Sequence, residues 1–206
     1  RQAMEVERNV SKQLIYMTRV SRQEPFIYDD LPLFARKQSF FIVEPDWYSG
    51  IHCRFGMRGI IAEGHFDTGR NMIAMLKGAK RYILMPPTEC TKISLLPKGH
   101  PSYRHSRVDW SDPDIDKFPR FGSARALETV LEEGQVLYMP SHWIHYVQSL
   151  GTSVQCNCRS GVPLLDELYK IKGCGLYMNR GKRRWVRRKR KAAARYAAAL
   201  AAGKAA

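Results

Sequence analysis

The chain has 206 residues, 44% of them hydrophobic, and a formal net charge of +15. That length supports one domain with a real core plus extensions and leaves too little for two large domains, and no apolar run approaches the roughly 18 residues that cross a bilayer as a helix. The charge is uneven: eleven Lys or Arg and no acid lie from Arg180 onward, against 23 basic and 19 acidic side chains before it, so any polyanion partner is expected at a tail rather than on the body.

In chain order, residues 1 to about 22 place Met4, Leu14, Met17 and Val20 at roughly helical spacing, which predicts a helix packing on the domain. Pro25 and Pro32 break regular structure in "EPFIYDDLPLF", and "SFFIVEPDWYSG" predicts a short buried strand ending in a turn. The middle is strand-rich: "GIHCRFGMRGIIAEGHFD", "KRYILMPP", "ETVLEEGQVLYMP", "HYVQSL" and "TSVQCNCRSG" are short apolar or alternating runs bounded by Gly, Pro or Ser. Such a series predicts a sandwich or barrel rather than a parallel sheet with crossover helices. Between Thr88 and Ser123 a polar stretch carries Tyr103, Val108, Trp110, Phe118 and Phe121 as apolar anchors, and predicts an ordered loop over the mouth of the barrel.

Five cysteines, Cys53, Cys90, Cys156, Cys158 and Cys174, form no regular framework and no paired CxxC spacing. Unpaired thiols in an intracellular reducing compartment are therefore expected (nucleus, cytoplasm or organelle matrix), without a structural zinc. The chain begins at Arg1, so a targeting segment can lie outside it.

Chemistry concentrates in "GHFDTGRN". In a strand, residues two apart share a face, so His65 and Asp67 can aim one nitrogen and one oxygen at a common point. A third ligand is needed, and His52, His100, His105, His142 and His145 are available. His145 is best placed, because "GQVLYMPSHWIHYVQSL" gives a strand, a proline corner and a second strand starting at that histidine. Two histidines and a carboxylate on one side of an ion form the facial triad of non-haem Fe(II) oxygenases. His142 reads as a surface or pocket-rim residue, His100 and His105 as solvated or hydrogen-bonded loop residues or, within "HPSYRHSRVDW", as part of the substrate groove, Trp143 as packing, and Arg54 and Arg58 as exposed strand residues or, near the mouth, binders of an acidic substrate.

"GHFDTGRNMIAMLKGAKRYILMPP" followed by "GQVLYMPSHWIHYVQSL" resembles the JmjC or cupin-8 class of Fe(II)- and 2-oxoglutarate-dependent oxygenases over about residues 40 to 161. It is more similar to the protein hydroxylases of that class, such as the asparaginyl hydroxylase acting on hypoxia-inducible factor, than to large histone demethylases. The resemblance implies a mainly β, double-stranded β-helix (jelly-roll) fold with flanking helices. It implies His65, Asp67 and His145 as iron ligands, Lys80 as partner of the distal carboxylate of 2-oxoglutarate, and Asn71 and Asn157 beside that co-substrate. Lys77 is left as a solvated turn residue. Ala62 stands where the hydroxylase has a threonine that helps bind 2-oxoglutarate, so another hydroxyl, a tyrosine for instance, must complete the pocket.

The resulting expectation is a helical or irregular extension at 1–39, an oxygenase domain at 40–165 and a basic, Ala-rich extension at 166–206. The domain would use Fe(II), 2-oxoglutarate and O2 to hydroxylate a protein or peptide side chain, with demethylation the lesser alternative. Two rival readings are an inactive JmjC-like subunit of a larger assembly and an RNA-modifying oxygenase. For each, the tail at 180–191, nine of whose twelve residues are basic, would supply contact with the assembly, a nucleic acid or another anionic surface; it also resembles a nuclear localisation signal.

Overall fold

The computed structural model describes residues 51–97 and 99–161, a strand at 16–21, a helical turn at 172–174 and isolated positions at 32, 191, 194, 198 and 202. Nine strands run through them: β1 (Tyr16–Ser21), β2 (Ile51–Gly56), β3 (Ile61–Phe66), β4 (Arg70–Lys77), β5 (Ala79–Met85), β6 (Leu127–Glu132), β7 (Val136–Met139), β8 (Ile144–Ser149) and β9 (Ser153–Ser160). They form two antiparallel sheets, ordered β1-β2-β9-β4-β7 and β3-β8-β5-β6. The fold is mainly β, a sandwich of two sheets as the series of short runs predicts, and it agrees with the jelly roll that the resemblance implies.

Three expectations change. The helix expected over residues 1 to 22 is a strand at 16–21, paired antiparallel with β2 from Tyr16↔Gly56 to Ser21↔Ile51; "YMTRVS" contains Tyr, Thr and Val, which favour strands, and two residues at helical spacing are too few to outweigh a free sheet edge. Cys53 and Cys156 are joined as a disulfide, as are Cys90 and Cys174, and Cys158 is buried outside both disulfides. Cys53 and Cys156 lie directly opposite each other on β2 and β9, a proximity created by strand register across 103 residues and invisible to spacing rules. Finally, β4 is absent from the runs read as strands. "RNMIAMLK" is built from good helix formers, and its central place between β9 and β7 overrides that preference. The expected strand in 39–50, Leu14 and Met4, and nearly all of the basic and Ala-rich tail lie outside the described residues.

Strand alternation divides the side chains. Ile73 and Met75 of β4, Tyr82 and Leu84 of β5, Leu131 and Met139 form an apolar cluster between the sheets, whereas Ile51, Met72, Ala74, Cys156 and Cys158 cluster on the opposite face of the larger sheet. Phe66, Met85, Ile144 and Tyr146 face away from the interior and pack with Cys90, Ile93, Val108 and Trp110. The 88–123 segment is thus ordered, as expected, but it lies mainly on the outer face of β3-β8-β5 rather than across the mouth. Val108 and Trp110 are buried there, and Phe118 and Phe121 pack against the same cluster. With β6 and β7 joined on one side as an apolar plug, the opposite side is left to polar inward-facing residues, and the site lies there.

Candidate metal centre and its pocket

The pairing of β3 with β8 carries a register shift between Ala62 and His65, after which His65 stands opposite His145. The shift leaves extra backbone at Glu63 and Gly64, a bulge of the kind that re-aims side chains beside functional sites. One ligand atom each of His65, Asp67 and His145 lies within 4.8 Å of the others, and the two imidazole rings are 4.2 Å apart.

The surroundings fix the form of each group. Nδ1 of His65 is 2.7 Å from the Glu63 carbonyl oxygen and Nδ1 of His145 is 3.1 Å from that of Trp143. A carbonyl oxygen only accepts, so each Nδ1 carries the proton and donates, leaving each Nε2 lone pair for a cation. Burial, and then the charge of His145, push His65 down to about 3, and burial also lowers His145. Burial alone would raise Asp67, but Arg159, the two histidines and Arg104 together hold its carboxyl below the usual range. Two neutral imidazoles and an ionised carboxylate are the protonation states a divalent metal requires; the donor set fits Fe(II).

The expected ligands are thus brought together, and other histidines are not where the sequence suggested. His142 is buried rather than at the rim: its backbone N–H donates to the Asp67 carbonyl (2.8 Å), its φ is 64°, and its ring packs 5.8 Å from Phe66. Burial lowers it to about 4, so it is a neutral packing residue that ties the Pro140–Trp143 turn to β3. His105 is half-buried and hydrogen-bonded, its Nδ1 3.3 Å from the Ser102 carbonyl oxygen, and it stacks on His65 at 5.0 Å. It arrives there because residues 104–106 run along the free edge of β3: Ser106 N–H donates to Gly64 O (2.7 Å) and Phe66 N–H to Arg104 O (3.2 Å). The same path brings Arg104 Nη1 to 2.8 Å from Asp67 Oδ1, while Arg159 Nη2 reaches Oδ2 at 2.5 Å. His100 is exposed, as expected.

Beside the triad opens a pocket enclosing about 470 Å³ with its mouth included, lined by Lys80, Asn71 and Asn157 together with Arg54, Ala62, Tyr82, Ser149, Gln155 and Arg159 among others. Lys80 is 3% exposed, and among the described residues its ammonium has no hydrogen-bond or ion-pair partner. Burial, with a smaller push from Arg54, lowers it to about 8. Asn157 Nδ2 donates to Asn71 Oδ1 at 2.8 Å, and Asn157 Oδ1 accepts from Arg54. Tyr82 supplies a tyrosine hydroxyl, which donates to Gln155 Oε1 at 2.7 Å. Lys77 is exposed and paired with Glu133 at 3.0 Å, and Trp143 packs against the interior cluster. Arg58 is exposed, but Arg54 is half-buried and faces the pocket rather than solvent. Sequence reasoning offered Arg54 as one of two readings, an exposed strand residue or a binder of an acidic substrate near the mouth, and missed Arg104, Arg159 and Ser149 as site residues. A signal existed for Ser149, since Lys80 and Ser149 are paired on β5 and β8, but only after register is known.

A two-sheet jelly roll whose half-buried His65 and buried Asp67 and His145 open into a cationic pocket is the architecture of the JmjC/cupin class. The cupin-like domain family model matches residues 5–158, and the chain belongs to that family. It is 40% identical over 89 residues to HSPB1-associated protein 1 homolog of Danio rerio, covering 42% of this chain and 20% of that protein. To lysine-specific demethylase 8 of Xenopus tropicalis it is 34% identical over 108 residues, covering 50% of this chain and 23% of the relative. The chain thus spans about a fifth of the length of these relatives. A structure of YcfD, a ribosomal oxygenase from Escherichia coli, aligns with a TM-score of 0.37 and 16% identity, covering 60% of this chain and 26% of that one. No helix among the described residues is long and apolar enough to cross a membrane.

Proposed function

We propose that the protein is an Fe(II)- and 2-oxoglutarate-dependent dioxygenase that hydroxylates a protein or peptide side chain. The observation that carries this reading is the meeting, in one pocket, of the half-buried His65 and buried Asp67 and His145 with a buried Lys80 that has no hydrogen-bond or ion-pair partner among the described residues. An ammonium buried without a counter-charge is costly, and an anion placed against it reduces that cost.

Nε2 of His65 and of His145 and the carboxylate of Asp67 would hold the iron. Bound there, the metal supplies the activation of O2 that couples decarboxylation of 2-oxoglutarate to succinate with hydroxylation of the substrate. The chain's own groups prepare that chemistry. Glu63 and Trp143 carbonyls fix the two imidazole tautomers, and Arg104 and Arg159 hold Asp67 in its ionised form and in place. Lys80 binds the distal carboxylate of the co-substrate as a compact point charge. Asn71 and Asn157 border the co-substrate, while Ile73, Tyr82 and Val147 wall the cavity against water.

The test is turnover of 2-oxoglutarate by the full chain with Fe(II), read as succinate formed and iron retained, with a substrate identified by the gain of one oxygen in mass spectrometry. Asp67→Ala is expected to lose metal retention and succinate formation while keeping its β-sheet circular dichroism. Wild-type turnover in that variant would show that the ligand is wrong. Wild-type protein that retains no iron and forms no succinate, even uncoupled, would favour an assembly subunit over an enzyme.

A further inference from the structure

The pocket holds more positive charge than a single lysine anchor explains. Lys80, Arg54 and Arg159 line it, and among the described residues no lining side chain is acidic. Arg159 already answers Asp67 at 2.5 Å. Arg54 instead reaches the neutral amide oxygen of Asn157. It stands opposite Gln155 in the β2–β9 ladder, on the inward face, and lines the same pocket as Lys80, His65 and His145. Like charges sharing a small cavity repel each other, and the anion that relieves the repulsion best is one carrying two charges.

Ala62 sharpens the point, because it supplies no hydroxyl to the pocket wall. Tyr82, the tyrosine hydroxyl that the pocket does offer, is committed to Gln155. The Asn157 amide is used at both ends, accepting from Arg54 and donating to Asn71. These contacts orient Arg54 without neutralising it, and a planar guanidinium held this way offers a fork matched to a carboxylate.

We propose that Arg54 is a second cationic anchor for the co-substrate, acting with Lys80 to select a 2-oxo diacid over a 2-oxo monoacid. The inference rests on the functional reading above. Asn157 is then a positioning residue for Arg54.

The experiment uses the full chain loaded with Mn(II), which binds without turnover, and titrates it calorimetrically with 2-oxoglutarate and with 2-oxopentanoate, the five-carbon monoacid that has a methyl in place of the distal carboxylate. Wild type should prefer the diacid. Arg54→Gln should weaken 2-oxoglutarate by about 30-fold or more, the usual minimum for truncating one partner of a buried charge pair, while 2-oxopentanoate binds within about twofold of wild type; Arg54→Lys should recover most of the loss. Mn(II) affinity, measured separately, should be unchanged in both variants, which shows that they fold and keep the metal centre. Equal loss for both acids in Arg54→Gln, or no loss for either, would overturn the assignment while leaving the functional reading in place. Wild-type protein that binds Mn(II) but neither acid would overturn both.

Discussion

Lys80 concentrates the conflict between stability and function in one side chain. It is buried on an inward-facing strand position, with Arg54 near it and no counterion. Its folded value of about 8 lies below the ordinary 10.5, so between those two pH values the unfolded chain holds a proton that the folded chain has released. Stability of the metal-free, ligand-free protein therefore rises with pH through that window, and below about pH 8 the penalty is carried in full. Lys80→Met should stabilise the unliganded protein at pH 7 by roughly 2–3 kcal/mol and remove the alkaline rise. The same change should abolish 2-oxoglutarate binding. Denaturant melts at pH 7 and 9.5, paired with titration of 2-oxoglutarate, check both halves; a variant less stable than wild type at pH 7 would show that Lys80 has a structural partner. Lys80 was legible in the sequence because the "KGAK" motif resembles its family, and His65, Asp67 and His145 for the same reason. Arg104 and Arg159 were not, and Arg54 was legible only as one of two readings, because each owes its place to a contact between segments at least 37 residues apart, and charged residues on short strands otherwise read as exposed.

At the scale of the element, the bulge in β3 does the positioning, and Gly64 within it has a steric role. A Cβ at Gly64 would lie 2.3 Å from the Trp110 ring. Trp110 in turn stacks on Tyr146 at 6.1 Å and meets Phe121 edge-on at 5.5 Å. Closing that gap with a methyl group must push Trp110 away, and with it the segment whose residues 104–106 bridge β3. Gly64→Ala should therefore cost about 1–3 kcal/mol, the usual range for overpacking. It should also weaken metal binding through its neighbour His65 and shift Trp110 fluorescence. Gly122→Ala, whose Cβ would come no nearer than 3.6 Å to its neighbours, is the matched control; equal stability of the two variants would remove the steric argument. Gly78 plays a simpler part in the β4–β5 turn, where φ is +72° and a Cβ would lie 2.4 Å from the Thr152 carbonyl oxygen, which explains the glycine of "KGAK". Elements with period-two alternation or flanking turn residues were readable from sequence; β4 was not, since its Met, Ala and Leu content fits a helix equally well and only its two flanking strands decide the matter. The long 88–123 loop was legible as ordered from its aromatic anchors, but not which face of the sheet those anchors would find.

At the scale of the whole molecule, the two ligands of the proposed reaction load different parts of the sandwich. His65 and His145 lie on β3 and β8 of the smaller sheet and Asp67 directly follows β3, so a metal ion ties together elements that already pair along a shared ladder. A diacid would reach across the gap between the sheets, from Lys80 on β5 to Arg54 on β2 and the Asn71–Asn157 pair on β4 and β9. Only the folded chain offers either site, so each ligand stabilises by mass action, by about 2.7 kcal/mol when present at a hundredfold excess over its dissociation constant. Mn(II) alone should raise the Tm, and 2-oxoglutarate added to the Mn(II) form should raise it again, whereas 2-oxoglutarate without metal should do much less because its chelating end then has no partner. Asp67→Ala should erase the metal step and most of the second with it. Arg54→Gln should keep the first step and lose much of the second. Scanning calorimetry of the three proteins separates these cases: a second step of equal size with and without Mn(II) would mean that the diacid does not meet the metal, and that the two ends of the pocket do not act as one site.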